Sequence, residues 1–203
     1  LDEVIAWNRV VHDAVLGSLL QGRLPILLGG DHSLAIGSIS AVARHCRAQG
    51  KRLRVLWLDA HADFNTSVIT PSGNLHGMPL ACLCGHGPAA LTGLSGQLPA
   101  LAPADIRQIG IRSVDEGEKT FVHEMGLDVF DMRYIDENGM RHTMELALAL
   151  VDASEPGAGF FAFPRGARAG TCLHAILEDW MRGKGSLEQL VPLALQEHGI
   201  DAE

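Results

Sequence analysis

Two clusters of metal-ligating residue types stand just past apolar runs of the chain: Gly29-Gly30-Asp31-His32-Ser33 and Asp59-Ala60-His61-Ala62-Asp63. Together they offer two imidazoles and several carboxylates. In an extended Asp-x-His-x-Asp segment alternate side chains point the same way, so Asp59, His61 and Asp63 can face one ion. A mixed imidazole and carboxylate set suits manganese or another borderline divalent ion better than calcium or thiolate-bound zinc. The plainer alternative is a structural histidine beside solvated acidic turns, and finding both clusters at consecutive strand ends favours the metal. A third segment, Ser72-Gly73-Asn74-Leu75-His76-Gly77, adds small polar groups and a further imidazole on a glycine-permissive loop. Alone it reads as a turn, because Ser and Asn side chains bond nearby backbone.

These clusters need elements to hold them. Val4, Val11, Val15 and Leu19 recur at helical spacing from an Asp2 cap, predicting an amphipathic helix. Leu24 to Leu28, closed by Gly29 and Gly30, reads as a buried strand ending in a turn, and Ser33 to Arg47 has helix-forming composition. The order repeats with a strand at Leu53 to Leu58 running into Asp59, followed by a long loop. Apolar runs at Ile106 to Ile111 and Leu127 to Phe130 flank a helix near Glu116 to Glu124, and a further helix is predicted over Met140 to Val151. Strands alternating with helices imply an α/β fold whose parallel sheet is covered on both faces. Right-handed crossovers bring the loops beyond the strands' carboxyl ends to one edge, so the clusters after Leu28 and Leu58 should converge.

The 203 residues suffice for one domain with a sizeable core, and 47% hydrophobic with 20% charged residues is ordinary globular composition. A formal charge of −8 opposes the phosphate attraction on which nucleic-acid binding generally depends. No run approaches the roughly 18 apolar residues of a membrane span, which argues against a membrane partner. Cys46, Cys82, Cys84 and Cys172 form no paired CxxC motif, and the N-terminus does not read as a signal peptide; reduced thiols and a cytoplasmic location are expected.

Taken in order, the three segments resemble the arginase branch of the ureohydrolase family over about residues 1–152. The match includes Gly29-Gly-Asp-His32, Asp59-Ala-His-Ala-Asp63, Asn65, Ser72-Gly-Asn-Leu-His76-Gly and Ile109-Gly-Ile-Arg-Ser-Val-Asp-Glu-Gly-Glu118. The resemblance implies a three-layer α/β/α fold and a pair of Mn²⁺ ions whose bridging hydroxide attacks the guanidinium carbon of L-arginine, giving L-ornithine and urea. By position, His32 and Asp63 would bind one ion, His61 the other, and Asp59 would bridge them. His76 would act as acid or proton shuttle, a task suited to imidazole. Asn65 and Ser72 would hold the substrate α-carboxylate, Asn74 would join them in substrate binding from the same loop, Asp115 would meet the α-amino group, and Glu118 would be a further acidic site residue. Asp115 and Glu118 also fit the first turn of a helix, where acids are favoured. Family members are commonly homotrimers or homohexamers.

The resemblance stops near Ser154. The family carries a later Asp-x-Asp motif that completes the metal ligands, whereas Gly159-Phe-Phe-Ala-Phe-Pro-Arg-Gly166 is an apolar run without a carboxylate. Residues 1–154 are therefore read as an arginase-like α/β metal-binding domain, and 155–203 as a divergent segment with helices at Cys172 to Arg182 and Leu187 to His198. The chain reads as truncated or altered at its C-terminus. Two Mn²⁺ ions carry about +4, against about −3 from Asp59, Asp63 and hydroxide, so weak occupancy of at least one position is expected. Asp128, Asp131 and Asp152 are candidate substitutes, each also suited to a strand-end or helix-end role. Three functions compete: arginine hydrolysis, an agmatinase-type guanidino hydrolase that Asn65 and Ser72 disfavour, and a metal-binding chain impaired in catalysis. A plain α/β binding module is the remaining reading.

Overall fold

The structure, a computed structural model, describes residues 1–149 and, beyond them, Gln189, Pro192, Leu193, Gln196 and Glu197, all five helical. The predicted helix at Cys172 to Arg182 lies outside the described residues; the five just named fall within the one predicted at Leu187 to His198. The chain divides into two compact units, Leu1–Ala158 and Gly159–Glu203.

Helix α1 (Asp2–Leu20) begins one residue earlier than an Asp2 cap would allow: Leu1 is the N-cap, and Asp2 and Glu3 sit in the first turn, where carboxylates favour the exposed amides. Its Val11, Val15 and Leu19 pack with Ala41 of helix α2 (Ala35–Ala48). Asn8 on the same face is fully buried and accepts the Gly37 amide at 2.6 Å, pinning the two helices together.

Strand β1 (Val55–Leu58) pairs in parallel with β2 (Ile106–Ile111), which pairs in parallel with β3 (Asp128–Asp131). Short helices α3 (Pro79–Leu83) and α4 (Ala89–Thr92) lie between β1 and β2; α5 (Glu116–Glu124) links β2 to β3; α6 (Met132–Asn138) and α7 (Met140–Ala149) follow. Alternate residues feed opposite sides of the sheet. Val55, Trp57 and Ile106 join Ala43, Leu80, Leu83 and Val122 in one cluster, whereas Leu56, Ile109 and Phe130 join Ile135, Met144 and Ala147 in another. Helices thus cover both faces, the expected three-layer arrangement. No helix among the described residues is long and apolar enough to cross a membrane.

Two local departures shape the site. The pairing register slips between Ile109 and Ile111, and Gly110 takes φ +88°, a conformation open to glycine. This bulge returns Ile111 to the cluster that holds Ile106. The second departure is Leu24–Leu28, which is not a strand. Leu24, Ile26, Leu27 and Leu28 are between 41% and 58% exposed, and they form no strand pairing among the described residues. An apolar run supplies propensity but not a partner, and a strand requires the partner.

Candidate metal centre

Beyond Leu58 the chain stays fixed to the end of β2. The Asp59 amide donates to the Ile109 carbonyl at 3.1 Å, and the amides of Arg112 and Ser113 both donate to the Ala60 carbonyl at 2.8 and 2.9 Å. His61 faces Ser113 in a parallel bridge. The bulge lies against this loop: a Cβ on Gly110 would stand 3.4 Å from the Asp59 carbonyl, in ordinary contact. The other cluster arrives through Gly29 and Gly30, both at positive φ, into a 3-10 turn at His32–Leu34. Asp31 caps this turn, accepting the Ser33 amide at 2.9 Å and the Ser33 hydroxyl at 2.5 Å. That hydroxyl holds the Asp31 carboxyl below its ordinary range against the opposing effect of burial.

His32, Asp59 and Asp63 come together. His32 Nδ1 lies 2.7 Å from Asp63 Oδ2 and 2.8 Å from Asp59 Oδ2, and the three groups offer ligand atoms within 4.8 Å of one another. The His32 ring rests against Trp57, with centroids 4.4 Å apart. The other Asp59 oxygen accepts the His61 amide at 2.9 Å and lies 3.3 Å from His61 Nδ1. Asp59 therefore touches both histidines, one through each oxygen, while His61 stays outside the convergent trio.

The regular alternation expected of Asp59, His61 and Asp63 breaks at Asp63, whose φ is +47°. Among L-residues Asp and Asn enter this left-handed region most readily, although it generally costs about 1–2 kcal/mol. Asp63 is also 5% exposed. Burial pushes its carboxyl up, the His32 hydrogen bond opposes this, and the Asp59 charge adds to it. Desolvated carboxylates gathered around an imidazole are a costly arrangement that a cation stabilises. One divalent ion matches the formal −2 of this pair, and the nitrogen and oxygen donors suit a borderline metal such as manganese.

The predicted substrate residues separate into three groups. Ser72 and Asn74 are exposed on the loop, the Asn74 amide donating to Ser72 Oγ at 3.3 Å. His76 is exposed on a 3-10 turn (Leu75–Gly77). Asn65 is buried; its Nδ2 donates to Asp115 Oδ2 at 3.2 Å, and its Oδ1 has no hydrogen-bond partner among the described residues. Glu118 is buried against backbone amides. At 4% exposure it sits at the third position of α5, accepting the Phe64 amide at 2.8 Å and the backbone amide of its own N-cap, Asp115. This backward reach is half of a capping box. Burial pushes its carboxyl up against those amides.

Two of the alternative carboxylates are occupied elsewhere. Asp128 pairs with Arg107 at 3.0 Å and Asp131 caps α6 through the Tyr134 amide at 2.7 Å; Asp152 lies outside the described residues. Cys82 and Cys84 are buried thiols pushed up to about 12 by desolvation, which leaves them unreactive. Sequence reasoning missed Trp57, against which the His32 ring rests, and Gln108, whose Nε2 donates to the Ala62 carbonyl at 2.5 Å. Both look like ordinary strand residues, although an amide in a buried apolar strand was a signal for Gln108.

Two carboxylates beyond the carboxyl end of β1 and an imidazole from the turn that precedes α2 define an α/β protein with a candidate divalent-cation centre. The family model described as the arginase family matches residues 2–157, and the chain belongs to that family. The arginase of Bacillus caldovelox is 43% identical over 157 residues, covering 77% of this chain and 51% of its own length. Its native structure aligns with a TM-score of 0.68 at 45% identity, covering 72% of this chain and 48% of that one. The arginase of Entamoeba histolytica in complex with L-ornithine aligns with a TM-score of 0.66 at 37% identity, covering 71% and 48%. The chain spans about half the length of the curated relatives it matches.

Proposed function

We propose that the chain hydrolyses L-arginine to L-ornithine and urea with manganese held by His32, Asp59, Asp63 and His61. The observation that carries this reading is the convergence of His32, Asp59 and Asp63 within 4.8 Å. The contacts of Asp59 with His32 through one oxygen and His61 through the other support a bridging role between two ion positions. When bound, manganese would supply Lewis acidity and a nucleophile available at neutral pH. Breaking guanidinium resonance demands that electrostatic help.

The protein's own groups do the rest. His76, exposed beside this edge, is the proton donor to the departing amine. Ser72, Asn74 and Asn65 offer donors to an α-carboxylate, and Asp115 an acceptor to an α-amino group. Such contacts favour arginine over agmatine, which lacks the carboxylate. The relative solved with L-ornithine supports the assigned product. Glu118 supports the loop from beneath.

A second reading, metal binding without turnover, is favoured by one sequence fact: the run Gly159 to Gly166 offers no carboxylate. Urea release from L-arginine, with agmatine as control and bound manganese counted per chain, separates the two. Turnover with two ions per chain supports the hydrolase. Bound manganese without urea supports the second reading, and absence of manganese binding overturns both.

A further inference from the structure

Asp63 is the one non-glycine residue at positive φ among the described residues, and such strain persists only where the surroundings over-determine it. What surrounds it is a series of buried hydrogen bonds to consecutive backbone groups. Gln108, fully buried on β2, donates Nε2 to the Ala62 carbonyl at 2.5 Å. The Asp63 carbonyl accepts the Leu80 amide at 3.0 Å. Glu118 accepts the Phe64 amide at 2.8 Å, and the Asn65 amide donates to the Gly77 carbonyl at 3.0 Å.

Two of these partners are side chains whose position has no apolar justification. A parallel strand covered on both faces favours apolar residues, and burying an amide or a carboxyl is costly unless it is hydrogen-bonded. Gln108 Oε1 has no hydrogen-bond partner among the described residues, so the donation to Ala62 is the contact that accounts for an amide at this site. Glu118, raised by burial, likewise spends its oxygens on backbone amides.

We propose that Gln108 and Glu118 are positioning residues that clamp the Ala62–Phe64 backbone from either side and so aim the Asp63 carboxylate at His32. Gln108 grips the carbonyl before Asp63 and Glu118 the amide after it. Together they hold the left-handed turn that a free aspartate would leave. The consequence for manganese rests on the cation reading above; the clamp itself does not.

The test uses the whole chain carrying Gln108→Met, which keeps volume and removes the donor, beside Ile106→Val, a core change on the same strand. Gln108→Asn, too short to reach Ala62, serves as a second variant should Gln108→Met fail to fold. Without metal, amide exchange across residues 61–65 is expected to quicken about tenfold in the Gln108 variants, the scale of one lost hydrogen bond. In Ile106→Val, relative to its global stability, exchange there is expected to stay within about twofold. Manganese affinity of the folded protein is expected to drop about tenfold in the Gln108 variants, as for loss of an outer partner of a metal ligand, and to hold in Ile106→Val. Unchanged exchange in a folded Gln108 variant overturns the clamp, even if manganese still binds. Quickened exchange in a protein that binds no manganese keeps the clamp and removes the cation reading. Equal losses in Gln108→Met and Ile106→Val reduce Gln108 to general stability and overturn the proposal.

Discussion

Leu24–Leu28 and Val55–Leu58 are short apolar runs of similar character, and each leads directly toward a candidate ligand. Val55–Leu58 becomes a strand in register with β2, with Val55 and Trp57 in the core. Leu24–Leu28 is exposed and unpaired by any strand among the described residues. The difference shows that β propensity describes a fit to a neighbouring surface rather than a property of the run. It also separates two ways of delivering a ligand. Asp59 and Asp63 leave a paired strand end whose backbone is bonded residue by residue. His32 instead depends on its Gly29-Gly30 turn, the Asp31 cap and the tilted contact of its ring with Trp57.

The largest effect that sharpens this contrast is expected from Trp57→Ala. Loss of a buried indole typically costs about 3–5 kcal/mol, and here it also removes the surface on which His32 rests. Chemical denaturation of the variant measures the first consequence. A loss below about 1 kcal/mol would contradict the placing of Trp57 in the core.

A smaller effect is expected from the buried acid beneath the paired loop. The folded Glu118 carboxyl is raised above its ordinary value of 4.5, so between that value and the raised one the folded state holds more protons than the unfolded state. Stability attributable to Glu118 therefore falls as pH rises through this window and is greatest below it. Denaturation midpoints across the window should slope downward with pH in the parent and slope less in Glu118→Gln; parallel slopes would contradict the assignment.

The smallest effect belongs to the unpaired run. Ile26→Ser should change stability by no more than about 0.5 kcal/mol, because its side chain is already mostly in water. A cost approaching that of Trp57→Ala would show that Leu24–Leu28 is paired in solution.

Much of the fold was legible because its signals are local. The bounds of β2 match the apolar run Ile106 to Ile111 and those of α5 the helix expected near Glu116 to Glu124, and alternation across the sheet follows from strand geometry. Helix α6 went unread although Asp131 caps it and Gly139 closes it at φ +82°, since seven residues between two stronger patterns give little periodicity. The partnerless run was not legible at all, because pairing is a non-local fact. In the site, the residue types that gather were visible in the two motifs. The left-handed turn at Asp63, which breaks the simple alternation, depends on Gln108 and Glu118, each more than forty residues away in sequence.

The most direct test of the cation centre is a manganese titration of the parent chain beside Asp63→Asn. Asparagine keeps the shape and tolerates the left-handed backbone while removing the charge. The account predicts that manganese binds the parent, and that Asp63→Asn weakens binding by more than the roughly tenfold loss typical of an outer partner. Equal affinity in the two proteins would contradict the account and remove Asp63 from the site.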